Sequence, residues 1–217
     1  MHPSLVVFDL DGTLIDSAPD MHRAVNLMLA DLGCAPLTLS DIRSMVGDGA
    51  SALIARALAA RQCVSADPTK ALARFLEHYE AQPTACTRTF AGVAETLGRL
   101  QTTGLTLALC TNKPTRLTSM ILERLEIQRF FARVLAGDSM PFRKPDPRAL
   151  MEVINGFSTP KAATIMVGDS EVDAATAHSA GVPFVLMTYG YHRGPIEDIS
   201  SIATLDHFSE LATLLHA

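Results

Sequence analysis

The residues of this chain that are best suited to chemistry lie in the segments that follow short apolar runs, which we predict to be β-strands. These positions hold Asp9 and Asp11, the run Thr111 to Lys113, Lys144, and Asp169 with Asp173. In an open parallel sheet, ligands bind beyond the carboxyl ends of the strands. We therefore expect these side chains to meet in one crevice.

The grouped residue types indicate phosphoryl chemistry. Carboxylates that converge on one point repel each other unless a cation lies between them. With no histidine or cysteine close by, a hard cation such as Mg²⁺ suits the oxygen ligands. A threonine hydroxyl and a lysine ammonium can bind phosphoryl oxygens. One carboxylate is then available to attack phosphorus, and a second, two residues on, can protonate the leaving oxygen.

Short apolar runs alternate with helical patterns in most of the chain, which predicts a Rossmann-like parallel sheet with helices on both faces, an α/β fold. The predicted strands are 5–8, 105–110, 133–136, 164–167 and 184–187. The predicted helices between them are 93–103, 114–125, 147–155 and 172–180.

The segment from 17 to 85 differs from the rest because it contains amphipathic helical patterns and no convincing strand. Its predicted helices are 18–32, 39–46, 50–61 and 68–80. We therefore predict two units. Residues 1–16 and 86–217 form the Rossmann-like catalytic core, and residues 17–85 form an inserted all-helical cap.

Four short motifs occur in order along the chain: Asp9-Leu10-Asp11-Gly12-Thr13, then Thr111, then Lys144-Pro145, and finally Gly168-Asp169 with Asp173. This series resembles the four motifs of the haloacid dehalogenase superfamily of phosphotransferases, and the resemblance extends over essentially the whole chain. It implies that Asp9 is the nucleophile that becomes aspartyl-phosphate and that Asp11 is the general acid and base.

The same resemblance implies the other site roles. Thr111, Asn112 and Lys144 would bind the phosphoryl group. Mg²⁺ would be held by Asp9, by the backbone carbonyl of Asp11 and by Asp169, with Asp173 supporting the metal shell. An acid at position 11 favours a phosphate ester over a halide as substrate, because an alkoxide leaving group needs a proton.

Within the superfamily the chain is similar to bacterial phosphoglycolate phosphatases, on the stretches 46–50, 111–115 and 188–191. The expected reaction is hydrolysis of 2-phosphoglycolate to glycolate and phosphate. That group often has Asn where this chain has Asp48. A substrate carboxylate needs a cation outside the phosphate site, and the candidates are Arg43, Arg56 and Lys113.

Other activities remain open on the sequence. A phosphatase or mutase for another small phosphate ester, such as a sugar phosphate, a nucleotide or pyrophosphate, would carry the same motifs. A non-catalytic phospho-aspartate regulatory module is the alternative from another functional class. Receiver domains carry similar residues, but they lack a large helical insert after the first acidic pair.

Composition limits the partners. With 18 Lys+Arg against 23 Asp+Glu, the formal charge is −5, so nothing favours nucleic acid or an anionic membrane. The expected partner is a small phosphorylated metabolite, and the expected state a monomer or homodimer. We expect a cytoplasmic protein, because the first apolar run is too short for a secretory signal. The four cysteines form no CxxC pair and are expected to be free thiols.

Overall fold

The structure is a computed structural model that describes residues 3–63 and 65–215. Within these residues the strands are β1 (Leu5–Phe8), β2 (Ile15–Asp16), β3 (Arg88–Thr89), β4 (Thr106–Cys110), β5 (Arg133–Leu135), β6 (Thr164–Gly168), β7 (Phe184–Met187) and β8 (Ala203–Leu205). The helices are α1 (Ala18–Asp31), α2 (Leu39–Met45), α3 (Ala50–Ala60), α4 (Pro68–Ala81), α5 (Val93–Thr102), α6 (Thr115–Arg124), α7 (Pro147–Asn155), α8 (Glu171–Ala180) and α9 (Glu210–Leu214).

A six-stranded parallel sheet forms the centre of the fold, in the order β5-β4-β1-β6-β7-β8. The chain fills one half of the sheet from β1 to β5 and then returns to fill the other half from β6. This reversal puts a topological switch point at the carboxyl end of β1, where open α/β sheets bind ligands. The predicted α/β class is therefore confirmed.

Helices cover both faces of this sheet because its central strands are buried on both sides. On one face, α7 and α8 pack against alternate residues of the strands, such as Leu5 and Val7. On the other face, Val6 and Phe8 belong to an apolar cluster with residues of α5, α6 and α9. Each predicted strand and helix agrees with the structure to within one residue at each end, whereas no prediction covers β2, β3, β8 or α9.

Local sequence explains where the helices next to the site begin. Asp146 caps the start of α7 and Pro147 occupies its first turn, where a missing N–H is tolerated. Ser170 and Asp173 form a reciprocal capping box at the start of α8. The residues that follow β6 are therefore held in a fixed turn.

The helices α1 to α4 pack against one another in the stretch between β2 and β3. Their buried apolar residues, including Met21 of α1 and Phe75 of α4, belong to the same cluster as one face of the sheet. This helical layer therefore lies directly against the core.

Two connections join the helical layer to the core at a short antiparallel pairing of β2 with β3. Next to it, the buried carboxylate of Asp20 accepts hydrogen bonds from the backbone N–H groups of Cys86 and Thr87 at 2.9 and 2.7 Å. The two connecting segments are thus tied together.

The expectation of four free thiols is wrong for Cys34 and Cys63, which form a disulfide within the helical layer. Cys86 and Cys110 are free. Across the part of the chain that the structure describes, no helix is long and apolar enough to cross a membrane.

Candidate active site

A tight turn after β1 presents Asp9 and Asp11 at the carboxyl end of the sheet. The carbonyl of Leu10 accepts hydrogen bonds from the N–H groups of Leu14 and Ile15 at 2.9 and 3.1 Å. Gly12 has a φ of 89°, in the left-handed region that favours glycine. The Asp-x-Asp-Gly sequence therefore forms the turn that its glycine predicts.

Three buried carboxylates, those of Asp9, Asp169 and Asp173, lie together beyond the ends of β1 and β6. One oxygen from each lies within 4.8 Å of the others. The ammonium of Lys144 lies 2.7 Å from Asp9 Oδ1 and 2.7 Å from Asp173 Oδ1. This lysine comes from the connection between β5 and α7, so three separate parts of the sheet edge meet at one point.

This cluster contains three carboxyl groups and one ammonium, so its formal charge is negative. Burial, followed by the nearby Asp173 carboxylate among other contacts, raises the pKa of Asp9 to about 7, although Lys144 lowers it. Burial and the neighbouring carboxylates of Asp173 and Asp9 raise the pKa of Asp169 well above its usual range. Burial acts to lower the pKa of Lys144, but Asp173 and Asp9 outweigh it and raise that pKa.

An all-oxygen cluster of three carboxylates with one ammonium fits a hard divalent cation, because the added positive charge would offset the burial and the mutual repulsion that raise the pKa values of Asp9 and Asp169. Asp173 also accepts hydrogen bonds from Ser170 Oγ at 2.7 Å and from two backbone N–H groups. Asp173 therefore accepts hydrogen bonds from Lys144 and from residues at the start of α8. Asp9 and Asp169 have fewer such partners, so their oxygens are more available as metal ligands.

Asp169 is fixed by partners from two loops. Its Oδ1 accepts from Thr13 Oγ1 at 2.5 Å, and its Oδ2 accepts from the N–H of Tyr191 at 2.7 Å. A Cβ placed on Gly190 would lie 2.2 Å from the Cβ of Asp169. Gly190 therefore allows this close approach, a role that sequence reasoning missed. The signal available was the position of Gly190 just after β7.

Asp11 lies in a separate polar group on the cavity side. Its carboxylate accepts from Ser17 Oγ and from Lys113 Nζ, whose distances to Asp11 Oδ1 and Oδ2 are 2.9 and 3.2 Å. Lys113 Nζ also donates to the phenol oxygen of Tyr79 on α4 at 2.9 Å. The structure therefore brings together predicted residues from the core and a tyrosine of the helical layer that sequence reasoning missed.

Thr111 and Asn112 follow β4 and line the same cavity as Asp9. Both amide protons of Asn112 are engaged, because Nδ2 donates to the carbonyls of Gly47 at 2.9 Å and Lys144 at 2.8 Å. The Asn112 side chain thus joins the helical layer to the loop that carries Lys144.

The two arginines considered as specificity residues lie elsewhere. Arg43 is exposed and pairs with Asp16 at 3.0 Å. Arg56 donates to the carbonyl of Met45 at 2.7 Å and pairs with Asp48, which also pairs with Arg193. Neither Arg43 nor Arg56 is brought to the cavity that Asp9 lines.

A cavity of about 40 Å³ lies between the sheet edge and the helical layer. By comparison with the space that one buried water needs, this is room for roughly three waters. Asp9, Asp11, Thr111 and Lys113 form its polar floor, and apolar residues of the helical layer, such as Met21, Leu53 and Phe75, form much of its other wall. The site therefore suits a small polar molecule.

The sequence profile described as "Haloacid dehalogenase-like hydrolase" matches residues 6–187. Among curated relatives, a phosphoglycolate phosphatase of Cereibacter sphaeroides (strain ATCC 17025 / ATH 2.4.3) is 43% identical over 212 residues, which cover 97% of this chain and 96% of that protein. A phosphoglycolate phosphatase of Rhodospirillum rubrum is 41% identical over 219 residues, covering 98% and 91%.

Solved structures share the fold. A crystal structure described as a predicted phosphoglycolate phosphatase from Haemophilus somnus 129pt superposes with a TM-score of 0.94 at 31% identity, covering 99% of this chain and 98% of that one. CbbY from Rhodobacter sphaeroides in complex with phosphate has a TM-score of 0.82 at 21% identity, covering 96% of each chain, and supports the fold alone.

Proposed function

Because this chain belongs to the haloacid dehalogenase-like hydrolase family and is a phosphoric monoester hydrolase, we propose that it hydrolyses 2-phosphoglycolate to glycolate and phosphate. The observation that carries the substrate assignment is the identity of 43% with a protein named phosphoglycolate phosphatase, over 97% of this chain.

The proposed cofactor is Mg²⁺, which Asp9, Asp169 and the backbone carbonyl of Asp11 would hold. Asp173 would support this metal shell. The support for it is the cluster of buried carboxylates and the raised pKa values of Asp9 and Asp169. When bound, Mg²⁺ neutralises charge on the carboxylates and on the phosphoryl oxygens and so allows two anions to approach each other.

In the first proposed step, a carboxylate oxygen of Asp9 attacks phosphorus and forms an acyl-phosphate. The bond from phosphorus to the glycolate oxygen breaks, and its electron pair stays on that oxygen, which takes a proton from the Asp11 carboxyl group. Lys144 and the Thr111 hydroxyl bind the remaining phosphoryl oxygens. The Asn112 amide protons are engaged elsewhere, so we assign its part in phosphate binding to its backbone N–H.

In the second step, the Asp11 carboxylate takes a proton from water, and the water oxygen attacks phosphorus. The bond between phosphorus and Asp9 breaks, which restores the Asp9 carboxylate and releases inorganic phosphate. Asp11 serves both steps because it ends the first step as the base that the second step needs.

We further propose that residues 17–85 act as a cap that closes over the substrate and excludes water during the first step. This proposal is supported by the hydrogen bond from Asn112 to Gly47 and by the apolar cluster that the cap helices share with the sheet.

The test is phosphate release with Mg²⁺ from a panel of 2-phosphoglycolate, hexose phosphates, nucleoside monophosphates, pyrophosphate and an aryl phosphate. We expect kcat/KM for 2-phosphoglycolate to exceed every other value by at least about tenfold, a difference equivalent to one charge-assisted hydrogen bond. A flat profile, or one that favours sugar phosphates, would contradict the substrate assignment. Conversion of a sugar phosphate to its isomer without phosphate release would indicate a mutase.

A further inference from the structure

Lys113 and Tyr79 form a polar pair at the boundary between core and cap. The Lys113 side chain is 3% exposed and Tyr79 is 1% exposed, yet both residues line the cavity. Lys113 lies in the loop after β4, whereas Tyr79 lies near the end of α4. The pair therefore exists only while the cap rests on the core.

Lys113 is the one cation among the described residues that line the cavity. Burial acts to lower its pKa, but Asp11 and Tyr79 outweigh burial and raise it, so the side chain is an ammonium. Burial raises the pKa of Tyr79 to about 12, so the phenol is protonated. Together they present positive charge and a hydroxyl proton to whatever occupies the cavity.

The hydroxyl group of Tyr79 can donate one more hydrogen bond. Its oxygen accepts from Lys113 Nζ at 2.9 Å, and no described residue accepts the proton of Tyr79 itself. A buried hydroxyl proton without an acceptor costs free energy, and a bound acceptor would recover it. The carboxylates of Asp11 and Asp20 lie near enough to raise the pKa of Tyr79, but no hydrogen bond joins its hydroxyl proton to either of them.

The position of Lys113 relative to Asp11 sets which atom of a substrate it can reach. If Asp11 protonates the leaving oxygen, that oxygen lies within hydrogen-bond distance of the Asp11 carboxyl group. Lys113 Nζ lies 2.9 and 3.2 Å from the oxygens of the same carboxyl group. An anionic group on the carbon next to the leaving oxygen therefore falls beside Lys113 and Tyr79.

On this basis we propose that Lys113 and Tyr79 together form the carboxylate subsite, and that the enzyme selects phosphate esters with a carboxylate on the adjacent carbon. The proposal rests on the proposed function and assigns its specificity to one pair. Lys113 supplies charge from the core, and Tyr79 supplies a hydrogen bond from the cap. Because one half of the pair comes from each unit, the substrate carboxylate also favours the closed cap.

The test compares kcat/KM for 2-phosphoglycolate with kcat/KM for its neutral amide, an ester of nearly equal size. We expect Tyr79→Phe and Lys113→Met each to lower this ratio by about ten- to a hundredfold, the range of one hydrogen bond to a charged group. A loss of activity that a variant causes only by disturbing Asp11 affects both substrates equally, so it does not change this ratio. Lys70→Met is the matched control, because Lys70 is an exposed lysine of α4 and does not line the cavity.

Two results would contradict the proposal, and they are distinguishable from failure of the proposed function. If the unchanged enzyme prefers 2-phosphoglycolate but both variants keep the ratio within about twofold, the subsite is wrong and the function stands. If the unchanged enzyme hydrolyses acid and amide equally, it does not select the carboxylate and the subsite is wrong, although 2-phosphoglycolate remains a substrate. Failure of the proposed function would instead show as no phosphate release from 2-phosphoglycolate by the unchanged enzyme. Circular dichroism of each variant checks that it is folded, and the conservative Tyr79→Phe retains the packed ring.

Discussion

Removing divalent cations is expected to make the stability of this enzyme depend steeply on pH. Burial, together with the neighbouring Asp173 and Asp11, raises the pKa of Asp9 from 3.8 to about 7 in the folded protein. Because the folded state holds the proton more tightly than the unfolded chain, stability falls as pH rises from the unfolded to the folded pKa. The pKa of Asp169 is raised as well, so its contribution has the same sign.

The size of the effect follows from the Asp9 shift. A pKa that rises from 3.8 to about 7 on folding lowers the free energy of unfolding by about 4 kcal/mol above the folded pKa. Roughly 2–3 kcal/mol of this loss falls between about pH 5 and pH 8. Mg²⁺ at this site should restore stability at pH 8 and have little effect at pH 5, where protons already neutralise the cluster.

The assay is urea unfolding followed by circular dichroism, at pH 5 and pH 8, in EDTA and in saturating Mg²⁺. Asp9→Asn is the matched control, because it keeps the size of the side chain and removes its titration, so its pH dependence in EDTA should be flatter. Equal stability of the unchanged enzyme at both pH values in EDTA would refute the reasoning. A stabilisation by Mg²⁺ that is no larger at pH 8 than at pH 5 would do the same.

Three further perturbations test other parts of the structure. Asp11→Asn should lower kcat for an alkyl phosphate by about 10²- to 10⁴-fold and for an aryl phosphate by much less, because a phenolate leaves without a proton; an equal loss for both would contradict the acid role. Gly190→Ala places a Cβ 2.2 Å from the Cβ of Asp169, so the Mg²⁺ concentration for half-maximal activity should rise. Gly98→Ala is the control and should leave this concentration unchanged, because its Cβ would lie 3.8 Å from its nearest atom. Cys34→Ser removes the disulfide of the helical layer and should lower the free energy of unfolding by roughly 3–4 kcal/mol in denaturant titrations without reductant; a change below about 1 kcal/mol would argue against the disulfide.

Much of the fold is predictable from the sequence because burial restricts residue types. The run Leu5–Phe8 is apolar throughout since the strand is covered on both faces, and Pro147 with its preceding Asp146 indicates where a helix begins. The short strands β2 and β3 have two residues each, too few for any periodic pattern, so the sequence does not predict them.

The site is predictable where residues follow a strand directly, as Asp9, Thr111 and Asp169 do. The contact between Lys113 and Tyr79 is not predictable in this way. Tyr79 lies in α4, 34 residues before Lys113, and its place in the sequence pattern matches the buried face of that helix. Pairing of Cys34 with Cys63 likewise depends on how helices α1 to α4 pack, which the cysteine spacing alone does not indicate.

The central claim is that Asp9 carries the phosphoryl group between substrate and water. The most direct test mixes the enzyme with Mg²⁺ and 2-phosphoglycolate labelled with radioactive phosphorus, quenches with acid within one turnover, and maps the label by peptide mass spectrometry. The account predicts label on Asp9, and none in Asp9→Asn. Rapid phosphate release with no labelled protein at any quench time, or label on a residue other than Asp9, would contradict it.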